Sequence, residues 1–146
     1  MDVNVSLDGV RAGLSRARVA EIATAALRAE KVANALLSIT LVTPRAIARI
    51  NAEHLQHAGP TDVISFGFSR AAPSDPVVGD IYICPVVARR NARVHGAPVR
   101  EELARLVVHG VLHILGYEHP DGEEREDSVM WRRQETLLRR ALARRA

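Results

Sequence analysis

Residues 37–55 read LSITLVTPRAIARINAEHL, and the change of period inside that stretch decides the fold class. Leu37, Ile39 and Leu41 alternate with Ser38, Thr40 and Val42, the two-residue period of a strand with one buried face. Thr43 and Pro44 then supply a helix cap and a proline at the first helical position, and the helix is predicted to run to about Leu55. Toward the N-terminus, Val3, Val5 and Leu7 repeat the strand alternation before Gly9 to Gly13 break it. Ser15 next caps a helix in which Val19, Ile22, Ala23, Ala26 and Leu27 recur at helical spacing. Toward the C-terminus, Ala58-Gly59-Pro60 turns the chain into a third strand over Thr61 to Phe66. A loop rich in Pro, Ser and Asp covers about 69–76, and Gly79 to Cys84 forms a fourth strand ended by Pro85. A loop of that length lets the third and fourth strands pair as neighbours. From there the pattern is helical over about 86–95, 98–115 and 123–144. The order βαβαββααα predicts an α+β protein: a single small domain over residues 1–146, with a roughly four-stranded mixed sheet covered by helices on at least one face.

The composition narrows what such a domain does. With 47% hydrophobic and 25% charged residues among 146, the chain has enough apolar material to fold, which excludes a disordered polypeptide. Aromatic residues make up only 3% (Phe66, Phe68, Tyr82, Tyr117 and Trp131), too few for an RNA reader that stacks bases on a sheet. The one cysteine, Cys84, has no partner for an internal disulfide and is expected to be simply buried. With no basic start and apolar run at the N-terminus, the expected compartment is the cytoplasm. The longest apolar stretch, Leu106 to Leu115, is interrupted by His109 and His113 and is too short to span a membrane. The net charge of +3 is unevenly spread: residues 118–127 carry six acidic side chains against Arg125, and 128–146 carry six arginines against Glu135. Those arginines either contact phosphates or form a solvated helix face that neutralises the acidic run.

The chemistry is concentrated in His109-Gly110-Val111-Leu112-His113-Ile114-Leu115-Gly116-Tyr117-Glu118-His119, which holds three of the six histidines. His109 and His113 stand four apart on a predicted helix, so their imidazoles project from one face a turn apart. Gly116 falls where a helix commonly ends in a left-handed residue, so the backbone reverses and brings His119 back toward the other two. Three neutral imidazoles are expected to hold one metal ion, zinc by preference, and to leave a fourth position for water. Beyond that metal-bound water no catalytic group is singled out. The competing arrangements are a hydrogen-bonded histidine cluster and a closed structural site completed by Cys84 or a carboxylate. HxxxHxxGxxH is also the spacing of the metzincin proteases, but the position of their general-base glutamate is Gly110 here.

Three blocks of this chain resemble the YbeY endoribonucleases, also called rRNA maturation factors, whose signature HGxLHxxGYDH follows TDVxSF and GDI. They are Thr61-Asp62-Val63-Ile64-Ser65-Phe66, Gly79-Asp80-Ile81 and His109 to His119. The resemblance implies a cytoplasmic, zinc-dependent, single-strand endoribonuclease acting in 16S rRNA 3′-end maturation and ribosome quality control. It implies metal ligands His109, His113 and His119, a structural role for Asp80, and partners among the 16S precursor, the small ribosomal subunit and its proteins. Two positions depart from the pattern. Glu118 replaces the usual aspartate, and Leu55 stands where the family commonly has an arginine implicated in catalysis. Losing that cation removes stabilisation of a charged transition state, with His54 or His57 as candidate substitutes. Arg89, Arg90 and Arg93 form a helical group suited to an RNA backbone, or else a solvated face. The alternatives to a nuclease are a zinc-stabilised ribosome-assembly factor that binds rRNA or a ribosomal protein without cutting and, further off, a zinc hydrolase or protease.

Overall fold

The structure, a computed structural model, describes residues 1–118 and 128–144. Its elements follow the expected order: β1 (Asp2–Leu7), α1 (Arg16–Ala29), β2 (Ala35–Leu41), α2 (Pro44–His54), β3 (Val63–Phe68), β4 (Val77–Ile83), α3 (Pro85–His95), α4 (Val99–Ile114) and α5 (Val129–Ala143). The caps read from sequence are formed, with Ser15 Oγ accepting from the Arg18 amide and Thr43 Oγ1 from the Ala46 amide, both at 3.1 Å. One boundary is corrected. The last helix was expected over 123–144, but Ser128 has an extended backbone (φ −71°, ψ 156°) and its Oγ accepts from the Trp131 amide. A serine that satisfies an orphan amide in this way begins a helix instead of continuing one, so α5 starts at Val129. Residues 123–127 of that expectation lie outside the described residues.

The four strands form a mixed sheet in the order β1-β2-β4-β3. β1, β2 and β4 run parallel, while β3 and β4 pair antiparallel, with Ser65 opposite Ile81 and Gly67 opposite Gly79. Period-two alternation sends Ala35, Leu37, Ile39, Leu41, Ile81 and Ile83 into the main core, against Val19, Ile22 and Leu27 of α1 and Leu103, Val107 and Leu112 of α4. The opposite face carries a smaller cluster of Val42, Ile47, Ile64, Cys84 and Val87, with Phe66 and Tyr82 packed on it. Helices thus flank the sheet, as an α+β arrangement requires.

Helix α4 is the hub of this architecture. It touches α1, α3, α5, β3 and β4. A helix with neighbours on so many sides must be apolar over most of its circumference, and Leu103, Ala104, Leu106, Val107, Val108, Val111 and Leu112 are all buried. Each large side chain removed from water there contributes roughly 1.5–3 kcal/mol. The helix lies so close to β3 and β4 that a Cβ added at Gly110 would stand 3.0 Å from two Ile81 carbons and 3.1 Å from Ser65 Oγ. The residue at 110 is therefore small because it faces the sheet. The histidines on either side of it leave the helix in other directions.

Candidate metal centre

His109 and His113 sit in the last two turns of α4, with ring centroids 5.4 Å apart and planes crossed at 66°. His109 is 6% exposed, whereas His113 is open to solvent. The third expected ligand, His119, lies outside the described residues. Among the described residues, no group of three or more His, Cys, Asp or Glu side chains is arranged to hold a metal ion.

The turn that leads toward His119 is built as its sequence suggests. Gly116 has φ +99°, its amide donates to the His113 carbonyl, and the Tyr117 amide donates to the Leu112 carbonyl, each at 3.0 Å. These paired bonds satisfy the orphan carbonyls of the helix end and reverse the chain. Tyr117 then donates its hydroxyl proton to Oε1 of Glu30, the C-cap of α1, and Arg133 of α5 donates to the other Glu30 oxygen at 2.6 Å. That hydrogen bond, followed by burial and the carboxylate's charge, holds the Tyr117 phenol above its usual pKa against the opposing pull of Arg133. One arginine of the basic C-terminal stretch is thus neutralised by Glu30. A Cβ at Gly116 would meet nothing within 4 Å. Gly116→Ala is accordingly expected to lose about 1–2 kcal/mol from left-handed strain alone, read as a lower denaturant midpoint at unchanged slope.

Behind His109 stands a buried polar relay. Its Nδ1 lies 2.7 Å from Oε1 of Gln134, a residue of α5 that is 1% exposed. The amide's orientation is fixed from the other side, because Gln134 Nε2 donates to Glu135 Oε2 at 3.1 Å and a carboxylate oxygen only accepts. Since the amide oxygen also only accepts, Nδ1 is the donor in this bond, and in the neutral form of the ring the lone pair falls on Nε2. Glu135 is held by a two-pronged contact with Arg105, through Nε at 2.9 Å and Nη2 at 3.2 Å, while Arg105 Nη1 reaches buried Glu102 at 2.9 Å. Burial works against the Arg105 charge. The hydrogen bond and charge of Glu135, aided by Glu102 and Glu101, outweigh it and hold the guanidinium above its usual pKa.

The remaining expected residues are spread over other surfaces. Asp80 points to the sheet face opposite α4, since its neighbours Gly79 and Ile81 face that helix. Cys84 is fully buried in the smaller cluster, as expected of a lone cysteine. Leu55 caps the end of α2 and is 43% exposed. His54 packs edge-on to Phe66 with centroids 5.4 Å apart, and His57 is exposed. On α3, Arg90 and Arg93 are exposed and Arg89 is partly so. Sequence reading misses Gln134. Its signal is position: it falls on the buried stripe Met130, Leu137, Leu138 and Ala141, where an uncharged polar residue marks an internal hydrogen bond.

Fold and site together define an α+β protein organised around a central helix that ends in a histidine pair and a glycine reversal. The family profile of Endoribonuclease YbeY matches residues 9–142. The chain belongs to the YbeY endoribonuclease family. Proteins called endoribonuclease YbeY include one from Frankia casuarinae, 37% identical with 94% of this chain and 73% of that protein aligned. One from Thermobifida fusca is 36% identical, over 94% of this chain and 92% of its own length. One from Kineococcus radiotolerans is 41% identical over 66% of this chain and 61% of its own length. A solution structure from Thermotoga maritima shares the fold, with a TM-score of 0.64 at 22% identity over 97% of this chain and 90% of that one. No helix among the described residues is long and apolar enough to cross a membrane.

Proposed function

We propose that the chain is a zinc-dependent endoribonuclease of single-stranded RNA, acting in the cytoplasm in 16S rRNA 3′-end maturation and ribosome quality control. In this reading residues 1–146 form one metal-dependent hydrolase domain, and one zinc ion is held by His109, His113 and His119. The observation that carries it is the His109–Gln134 bond, which puts the imidazole lone pair on Nε2, as a zinc ligand requires, one helical turn from His113. When bound, the ion would supply Lewis-acid chemistry for phosphodiester hydrolysis. The chain's own residues do the rest. His109 is held in one orientation by its buried partner, and His113 presents its ring to solvent, where a phosphodiester can approach. Arg90 and Arg93 offer charge to the RNA backbone. The partners would be the 16S precursor and the small ribosomal subunit or its proteins.

Removing the metal tests the reading. Highly purified protein treated with a chelator is expected to stop cutting a single-stranded 16S 3′ precursor and to resume when zinc is restored, with the paired form of the same RNA spared. Cleavage that persists in metal-free protein would reject it.

A second reading, a zinc-stabilised assembly factor that binds rRNA or a ribosomal protein without cutting it, draws on Leu55. An exposed leucine at the end of α2 offers no charge to a phosphate. It predicts zinc-bound, folded protein that binds the precursor and leaves it intact. A protease is disfavoured because Gly110 stands where the metzincins carry their glutamate, and a Cβ there would already lie 3.0 Å from Ile81.

A further inference from the structure

The geometry points to Gln134 as a positioning residue: it selects the tautomer in which His109 offers Nε2 to the metal, and Glu135, gripped by Arg105, selects the orientation of the Gln134 amide. This inference rests on the zinc reading above and adds a residue to it. An isolated neutral histidine exchanges its single proton between two nitrogens, so a ligand nitrogen is lone-pair-bearing only part of the time. Here the ring is buried and Nδ1 faces an amide oxygen at 2.7 Å, which stabilises the Nδ1–H form over the other. A glutamine alone would leave the choice open, since turning its amide by half a rotation would present an N–H instead and favour the opposite tautomer. The contact from Gln134 Nε2 to Glu135 Oε2 blocks that rotation. Glu135 in turn cannot swing away while Arg105 holds both of its oxygens and is itself anchored to Glu102. The relay therefore runs from one carboxylate of α4, through the arginine and Glu135, back to a histidine of the same helix by way of α5. It fixes a proton's place without charging the ring. Outer partners of metal-binding histidines commonly change metal affinity by about 10–100-fold when removed.

Nitrogen-detected NMR of metal-free protein tests the tautomer directly. In the wild type, His109 is expected as the Nδ1–H form with slow exchange. Gln134→Met, which keeps the volume and removes the acceptor, should lose that form and bind zinc about 10–100-fold more weakly in competition with a chromophoric chelator. Gln134→Glu keeps an acceptor facing Nδ1 and should keep the Nδ1 proton, but it sets an oxygen against Glu135 Oε2 where the Nε2 donor now stands, so the protein should be less stable. An Nε2–H tautomer in the wild type overturns the inference even if the variants do not fold. So does a Gln134→Met protein whose tautomer and zinc affinity match the wild type. If the wild type takes up no zinc at all, the metal reading itself falls and the positioning role falls with it. Normal uptake by both wild type and Gln134→Met rejects the positioning role alone.

Discussion

His113→Ala is expected to remove zinc and RNA cleavage together while leaving the fold in place. The separation is possible because His113 is exposed on the last turn of α4, so its truncation opens no hole in the core. Alanine is also the best helix former, and a surface change of this kind usually moves stability by no more than about 0.5 kcal/mol. The same substitution at His109 would be harder to interpret. It would strand the amide of Gln134 in the interior at a cost of roughly 1–3 kcal/mol. Loss of a ligand removes Lewis-acid stabilisation worth several kcal/mol, so cleavage should fall by on the order of a thousandfold. Zinc content by elemental analysis, cleavage of a single-stranded precursor and a thermal melt, taken on one preparation, check all three parts. Equal cutting by the metal-free variant and the wild type would reject the zinc mechanism, and an activity that separates from the protein on further purification would favour the assembly factor.

Gly110→Glu is expected to prevent folding. The added Cβ alone would stand 3.0 Å from Ile81, whose side chain is fully buried in the main core, and overpacking of that kind costs about 1–3 kcal/mol. The rest of the side chain would bring a carboxylate into the contact between α4 and the sheet without a partner, which adds several kcal/mol. Together these approach the whole stability of an ordinary domain, about 5–15 kcal/mol. Gly110→Ala isolates the first term, offset by about 1 kcal/mol of helix propensity, and should fold with a modest loss. Circular dichroism and the soluble yield of the two variants distinguish these outcomes. A folded, stable Gly110→Glu protein would show that α4 does not bear on β3 and β4 as described.

What could be read from the sequence was local, and what could not was mostly contact between distant segments. The switch at Thr43-Pro44 was legible because period, cap and proline agree within a few residues. The reversal at Gly116 was legible for the same reason, and so was the pairing of the third and fourth strands across a short loop. The order β1-β2-β4-β3 depends on strands that meet after long excursions, and no local signal encodes it. The start of α5 was misplaced because the acidic residues ahead of Ser128 look helix-compatible, while the capping bond of Ser128 is visible only in space. Gly110 illustrates a subtler limit. In the sequence it registers as a missing catalytic carboxylate, and in the structure as a helix pressed against Ile81 and Ser65. Gln134 was hidden because its role depends on a histidine 25 residues earlier in the chain.

X-ray absorption fine structure on the zinc-loaded protein tests the three-histidine site most directly. The expected spectrum has three imidazole nitrogens at about 2.0–2.1 Å and one further light atom, the pattern of an open tetrahedral site. A sulfur shell near 2.3 Å, or fewer than three imidazoles, would contradict it.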